Sequence, residues 1–128
     1  FISDVDVSGV IYGVDDRFPV DIYLGIGGGP EGVLAAAALS CLGGQIQGRL
    51  YLNEEQKIKA KKMGIIDYKK KFNIDEMIKG DVMFFATGVT NGDLIKGIKD
   101  QGEYFEASTL VLHKDSKTNK IITNKHKK

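Results

Sequence analysis

The stretch Tyr23–Gly44, YLGIGGGPEGVLAAAALSCLGG, decides how this chain folds. It joins an alternating apolar run to an alanine-rich run through three consecutive glycines and a proline. Proline suits the first turn of a helix, alanine and leucine sustain one, and Gly43-Gly44 stops it, so a helix is predicted from Pro30 onward. The preceding VDIYLGIG (20–27) alternates and is rich in β-branched and aromatic residues, which predicts a strand ending at Gly25 or Ile26. The alanines make the helix apolar nearly all round, so both of its sides are expected to be covered. A strand leading straight into such a helix implies an α/β fold, a layered sheet with helices.

Glu31 is the puzzle of this stretch. A glycine-rich turn entering a helix suits a phosphate, yet a carboxylate at the helix start repels one. Three readings are open. The glycines can simply permit a tight turn. GIGGGP matches the start of a dinucleotide fingerprint, although Pro30 and Glu31 stand where further glycine and amide donors are needed. Alternatively, Gly27, Gly28 and Gly29 bring the backbone near an anionic substrate while Glu31 reaches a divalent metal bridging to the same phosphate, which turns repulsion into charge balance.

Outward from there, the start of the chain reads as a strand by its alternation or as a short helix capped by Asp4 or Asp6, with a helix from about Asp6 to Val14 preferred. QIQGRLYL (45–52) predicts a short strand, and NEEQKIKAKKMG (53–64) a charged helix capped by Asn53 and stopped by Gly64. IDYKKKFNIDEMI predicts a turn and then a helical piece capped by Asn73 or Asp75. DVMFFATGV (81–89) is almost wholly apolar and reads as a central strand buried on both faces. TNGDLIKGIKD follows as a turn and short amphipathic segment, and the end of the chain as two antiparallel strands around KDSKTNK.

At 128 residues there is room for one ordinary domain. No apolar run is long enough to span a membrane. A net charge of +1 gives no general attraction to nucleic acid, and the lysine clusters lack the interleaved aromatic residues that stack on bases. Cys41 is the only cysteine. It cannot form an internal disulfide, fits a reducing cytoplasmic setting, and reads as an inert buried thiol. The chain begins at Phe1 with neither methionine nor a signal-peptide pattern, so a piece of a longer polypeptide is expected. His113 reads as a half-buried structural residue and His126 as solvated; neither has zinc spacing or a Ser-His-Asp context. Thr87, Gly88 and Thr90 end an apparent buried strand, where α/β sheets place ligands, though an ordinary capped turn explains them equally well.

Taken in order, GIGGGPEGVLAAAALSCLGGQIQGRL, AKKMGI, DVMFFATGVTNGDLIKGI and TLVLHKDS resemble the C-terminal part of class II fructose-1,6-bisphosphatase, a metal-dependent sugar phosphatase family, over nearly the whole chain. The resemblance implies a single C-terminal α/β domain or fragment, residues 1–128, from a sugar-phosphatase-like fold. It implies hydrolysis of the 1-phosphate of fructose 1,6-bisphosphate, assisted by Mg²⁺ or Mn²⁺. Glu31 falls on the family's metal-binding glutamate and Gly28 on a substrate contact. Asp4, Val5 and Asp6 fall on its substrate-binding Asp-x-Asp segment, reading SDVD where PDGD is common. The remaining metal ligands, the water-activating acid and the phosphate-gripping basic residues belong to a preceding part of the same polypeptide, so no catalytic residue is assigned within the chain. Cut from a larger fold, such a piece can expose apolar surface and form a homo-oligomer. The rival classes are a nucleotide or dinucleotide-binding module and a non-catalytic sugar-phosphate-binding domain.

Overall fold

The structure, a computed structural model, describes residues 7–128. Four helices and six strands follow one another in the order α1 (Val7–Tyr12), α2 (Gly29–Leu42), β1 (Gln47–Arg49), α3 (Glu54–Lys62), β2 (Lys71–Asn73), α4 (Ile74–Met77), β3 (Met83–Thr87), β4 (Lys99–Asp100), β5 (Tyr104–His113) and β6 (Thr118–Lys127). Helices are layered on antiparallel sheets, in keeping with the expected α/β class. Among the described residues no helix is long and apolar enough to cross a membrane.

The long hairpin forms as its sequence predicts. β5 and β6 pair from Tyr104↔Lys127 to His113↔Thr118. The opposite edge of β5 is shared by β3 at one end and β4 at the other. One face of this sheet is covered where β3 meets β5. Phe84 and Ala86 of β3 stand beside Leu112 and Leu110 of β5, and Ile11 and Tyr12 of α1, Ala38 of α2 and Leu94 join Phe84, Leu110 and Leu112 in one core cluster. Phe18 stacks on Tyr12 with ring centroids 4.1 Å apart, which closes the loop after α1 onto that core. A second cluster joins Ala36 and Leu39 of α2 to Ile74 of α4.

Helix α2 ends as predicted: Gly43 adopts the left-handed conformation at φ 76° and its N–H donates to the carbonyl of Leu39. Helix α3 starts on Asn53, whose side chain accepts from the Gln56 N–H while Gln56 accepts from the Asn53 N–H, a reciprocal box that satisfies two donors. Before α4 the Glu76 carboxylate accepts the N–H of Asn73, at the predicted start of that helix.

Four expectations are corrected. Val20–Gly27 forms no strand and joins no ladder among the described residues, because β propensity describes fitness for a half-buried pleat, and the described strands pair elsewhere. β3 is not buried on both faces: Met83 and Phe85 are 63% and 60% exposed, since α1 and α2 cover only the Phe84 side. Among the described residues it is also an edge strand, with β5 as its one partner. Helix α2 is covered all round only in its second half, where Ala36 and Ala38 are wholly buried, while Val33 and Leu34 remain about half exposed. The predicted strand at 45–52 shrinks to three residues, paired with β2.

Residues 90–98 take up the turn expected there as a loop that closes on itself: Asn91 Oδ1 accepts the Gly97 N–H at 2.9 Å, Gly92 donates to Ile95, and Ile98 donates to Val89. A Cβ on Gly97 would lie 2.5 Å from the carbonyl carbon of Thr90 and 2.7 Å from the nitrogen of Asn91, both backbone atoms. Gly97→Ala is therefore expected to destabilise the protein by about 1–3 kcal/mol, read as a lower denaturant midpoint at unchanged slope.

Candidate functional site

The glycine turn and the first turn of α2 are built by local rules. Gly28 is the N-cap residue, extended at φ −70° and ψ 155°, and its carbonyl accepts the Gly32 N–H at 3.1 Å. Pro30 occupies the first turn, where a missing N–H costs nothing. No side chain caps the helix, so its first amides stay open to a ligand. Glu31 is the acid of the first turn, and its carboxylate folds back over Gly28 into the space a Cβ there would occupy.

Gly28 and Glu31, two of the residues singled out from sequence, are thus in contact. Around Gly27 and Gly29 there is open space on the side where a Cβ would stand. The arrangement offers an approach for a ligand along the backbone with one carboxylate beside it. Asp4, Val5 and Asp6 lie outside the described residues. What can be said is that the helix after them, α1, packs on α2.

A metal needs more than one carboxylate. Among the described residues no group of three or more His, Cys, Asp or Glu could hold an ion, so these residues do not form a complete metal site. Glu31 supplies one hard oxygen donor at the positive end of a helix. Among the described residues the dinucleotide alternative lacks its frame: the segment before the glycine turn joins no ladder, and the strand pairs are antiparallel.

The threonine turn after β3 spends its polar groups internally. Thr87 Oγ1 bonds Thr109 Oγ1 at 2.8 Å across the strands, and the Gly88 N–H donates to Ser108. Cys41 is half-buried with its thiol 3.5 Å from the Val82 carbonyl, and burial pushes its pKa up, away from a reactive thiolate.

A cluster not foreseen in the sequence joins the start of β3 to the hairpin turn. Asp81 Oδ2 lies 2.6 Å from His113 Nε2, while Asp81 Oδ1 accepts the N–H of Val82 and of Asp115. His113 Nδ1 lies 2.7 Å from Ser116 Oγ, which in turn bonds Thr118. The available signal was a histidine three residues before a serine across a turn, but Asp81 is far away in sequence. The cluster pins the turn to the edge strand, consistent with a structural His113.

Bonding to His113 holds the Asp81 carboxyl below the usual range; the amides of Asp115 and Val82 reinforce this and desolvation opposes it. A lowered folded pKa stabilises above the unfolded value of about 4 and ceases to do so as pH falls through the folded value. The melting temperature of Asp81→Asn is expected below that of the wild type at pH 6, with the gap closing as pH falls past the unfolded value of about 4 and through the lower folded value. A gap that widens on acidification would contradict this assignment.

Comparison with known proteins adds three findings. The model of the family described as bacterial fructose-1,6-bisphosphatase, glpX-encoded, matches residues 1–126. A protein of Synechococcus sp. (strain JA-3-3Ab) named D-fructose 1,6-bisphosphatase class 2/sedoheptulose 1,7-bisphosphatase is 35% identical over 141 aligned positions, which cover 99% of this chain and 41% of that protein. A Haemophilus influenzae protein named fructose-1,6-bisphosphatase class 2 is 34% identical over 139 positions, covering 98% of this chain and 42% of its own length. The chain therefore spans about two fifths of the length of these relatives.

Proposed function

Because the chain belongs to the bacterial, glpX-encoded fructose-1,6-bisphosphatase family, we propose that it forms one wall of the active site of a phosphatase that hydrolyses the 1-phosphate of fructose 1,6-bisphosphate to fructose 6-phosphate. The observation that carries this reading is the Glu31 carboxylate lying over Gly28 at an uncapped helix start, in a chain that matches the family over residues 1–126.

In this reading Glu31 is one ligand of Mg²⁺ or Mn²⁺, and the other ligands come from parts of the full-length protein that the chain does not span. A divalent cation there polarises phosphoryl oxygens and makes a bound water more acidic. The chain's own residues do the positioning. Gly27, Gly28 and Gly29 leave the backbone unshielded, so a phosphorylated sugar can approach the open amides at the start of α2. Asp4 and Asp6, as carboxylates, accept hydrogen bonds from sugar hydroxyls, and Val5 contributes through its backbone.

The direct test is phosphate release by the full-length protein. With divalent metal present, fructose 1,6-bisphosphate is expected to yield one equivalent of phosphate, and chelation to stop the reaction. Sedoheptulose 1,7-bisphosphate, which appears in the name of the Synechococcus relative, belongs in the same assay as a second substrate. Binding of the sugar bisphosphate without phosphate release would make the protein a sensor. The 128 residues by themselves are expected to release phosphate only at background rate, and a rate near that of the full-length protein would contradict the two-walled site.

A further inference from the structure

Residues Val20–Gly27 have the sequence of a strand, but among the described residues they join no ladder and no strand is formed there. Ile22, Leu24 and Ile26 are 71%, 83% and 87% exposed, three large apolar side chains at alternate positions. The other face is of a different kind. A Cβ on Gly25 would meet the Tyr23 ring at 3.2 Å, so the aromatic ring lies along its neighbour two residues on, as in a pleated strand. Two residues after Ile26 comes Gly28, and on α2 Leu34 is also 51% exposed.

Exposed singly, such side chains need no explanation; at three alternate positions of one segment leading into a candidate site, they do. Backbone groups of an extended segment also need partners once apolar side chains are covered. We propose that Val20–Gly27 is a docking strand, paired in the full-length protein with a strand from the part that this chain does not span. The relatives support that occupant, since about three fifths of their length lies outside the match and must pack somewhere. Strand addition places backbone bonds along 20–27 and apolar cover over Ile22, Leu24 and Ile26. It also brings the incoming part within two residues of Gly28, where the incomplete site lacks its second wall. Docking and site completion then become one event. This inference rests on family membership and not on the reaction proposed above, so its test reads exchange rather than turnover.

The experiment is amide hydrogen exchange on the full-length protein. Amides in 21–26 are expected to exchange on the order of a hundredfold or more slower than in an unstructured peptide, at every protein concentration. Leu24→Lys in the same protein is expected to abolish that protection while the β5–β6 amides keep theirs. Free exchange of 21–26 in the wild type would overturn the proposal. So would protection that rises with concentration in step with dimer formation, because the occupant would then be a second copy. Protection unaffected by Leu24→Lys in a folded variant would overturn the role of the apolar face.

Discussion

Glu31→Gln in the full-length protein lowers metal-dependent phosphate release from fructose 1,6-bisphosphate by at least about tenfold to a hundredfold. That range is what removal of a group merely supporting a metal ligand costs, so loss of a ligand itself sets it as a floor. Glutamine keeps the size of the side chain and can still lie over Gly28, but it presents a neutral carbonyl where a hard cation prefers a carboxylate. The fold is expected to survive, because Glu31 is an exposed first-turn residue outside both core clusters. The loss should shrink as metal concentration is raised. Activity equal to the wild type across the metal titration would remove Glu31 from the site.

The largest expected loss of stability lies elsewhere. Leu112→Ala should cost about 2–5 kcal/mol, because Leu112 is wholly buried opposite Phe84 and belongs to the cluster that holds α1, α2 and the sheet together. Its removal leaves a hole lined by residues from separate elements, which cannot all collapse into it. Scanning calorimetry on the full-length protein should show a fall of roughly 5–15 °C in the transition that contains this domain. Ile121→Ala provides the contrast. Ile121 is 47% exposed, and its truncation should cost less than about 1 kcal/mol.

What could be read from residues alone follows a physical line. Signals that act within a few residues were legible: Pro30 and Gly43 bounding α2, Asn53 opening α3, Asn73 opening α4, and the turn between β5 and β6. Signals that depend on what lies on the far side of an element were not. The alternation of 20–27 reads as a strand and the apolar run 81–89 as a strand buried on both faces, and the described residues cover neither Ile22, Leu24 and Ile26 nor the Phe85 side of β3. At 90–98 the turn was legible but its closure was not, because the Asn91 side chain and the close approach of Gly97 join residues six apart.

The site was legible to a similar degree. The contact of Glu31 with Gly28 follows from a helix start, since a first-turn side chain can fold back over its own N-cap. The absence of further ligands around it, among the described residues, follows from distances that a local motif does not encode. The Asp81–His113–Ser116 cluster was invisible for the same reason, being assembled by the β3–β5 register.

The measurement that bears most directly on the account is titration of the full-length protein with Mn²⁺, followed by electron paramagnetic resonance of the free ion, for the wild type and Glu31→Gln. Saturable binding by the wild type, weakened at least about tenfold in the variant, is the predicted result. Equal Mn²⁺ affinity in the two proteins would contradict the claim that the glutamate of GGGPEG is a metal ligand.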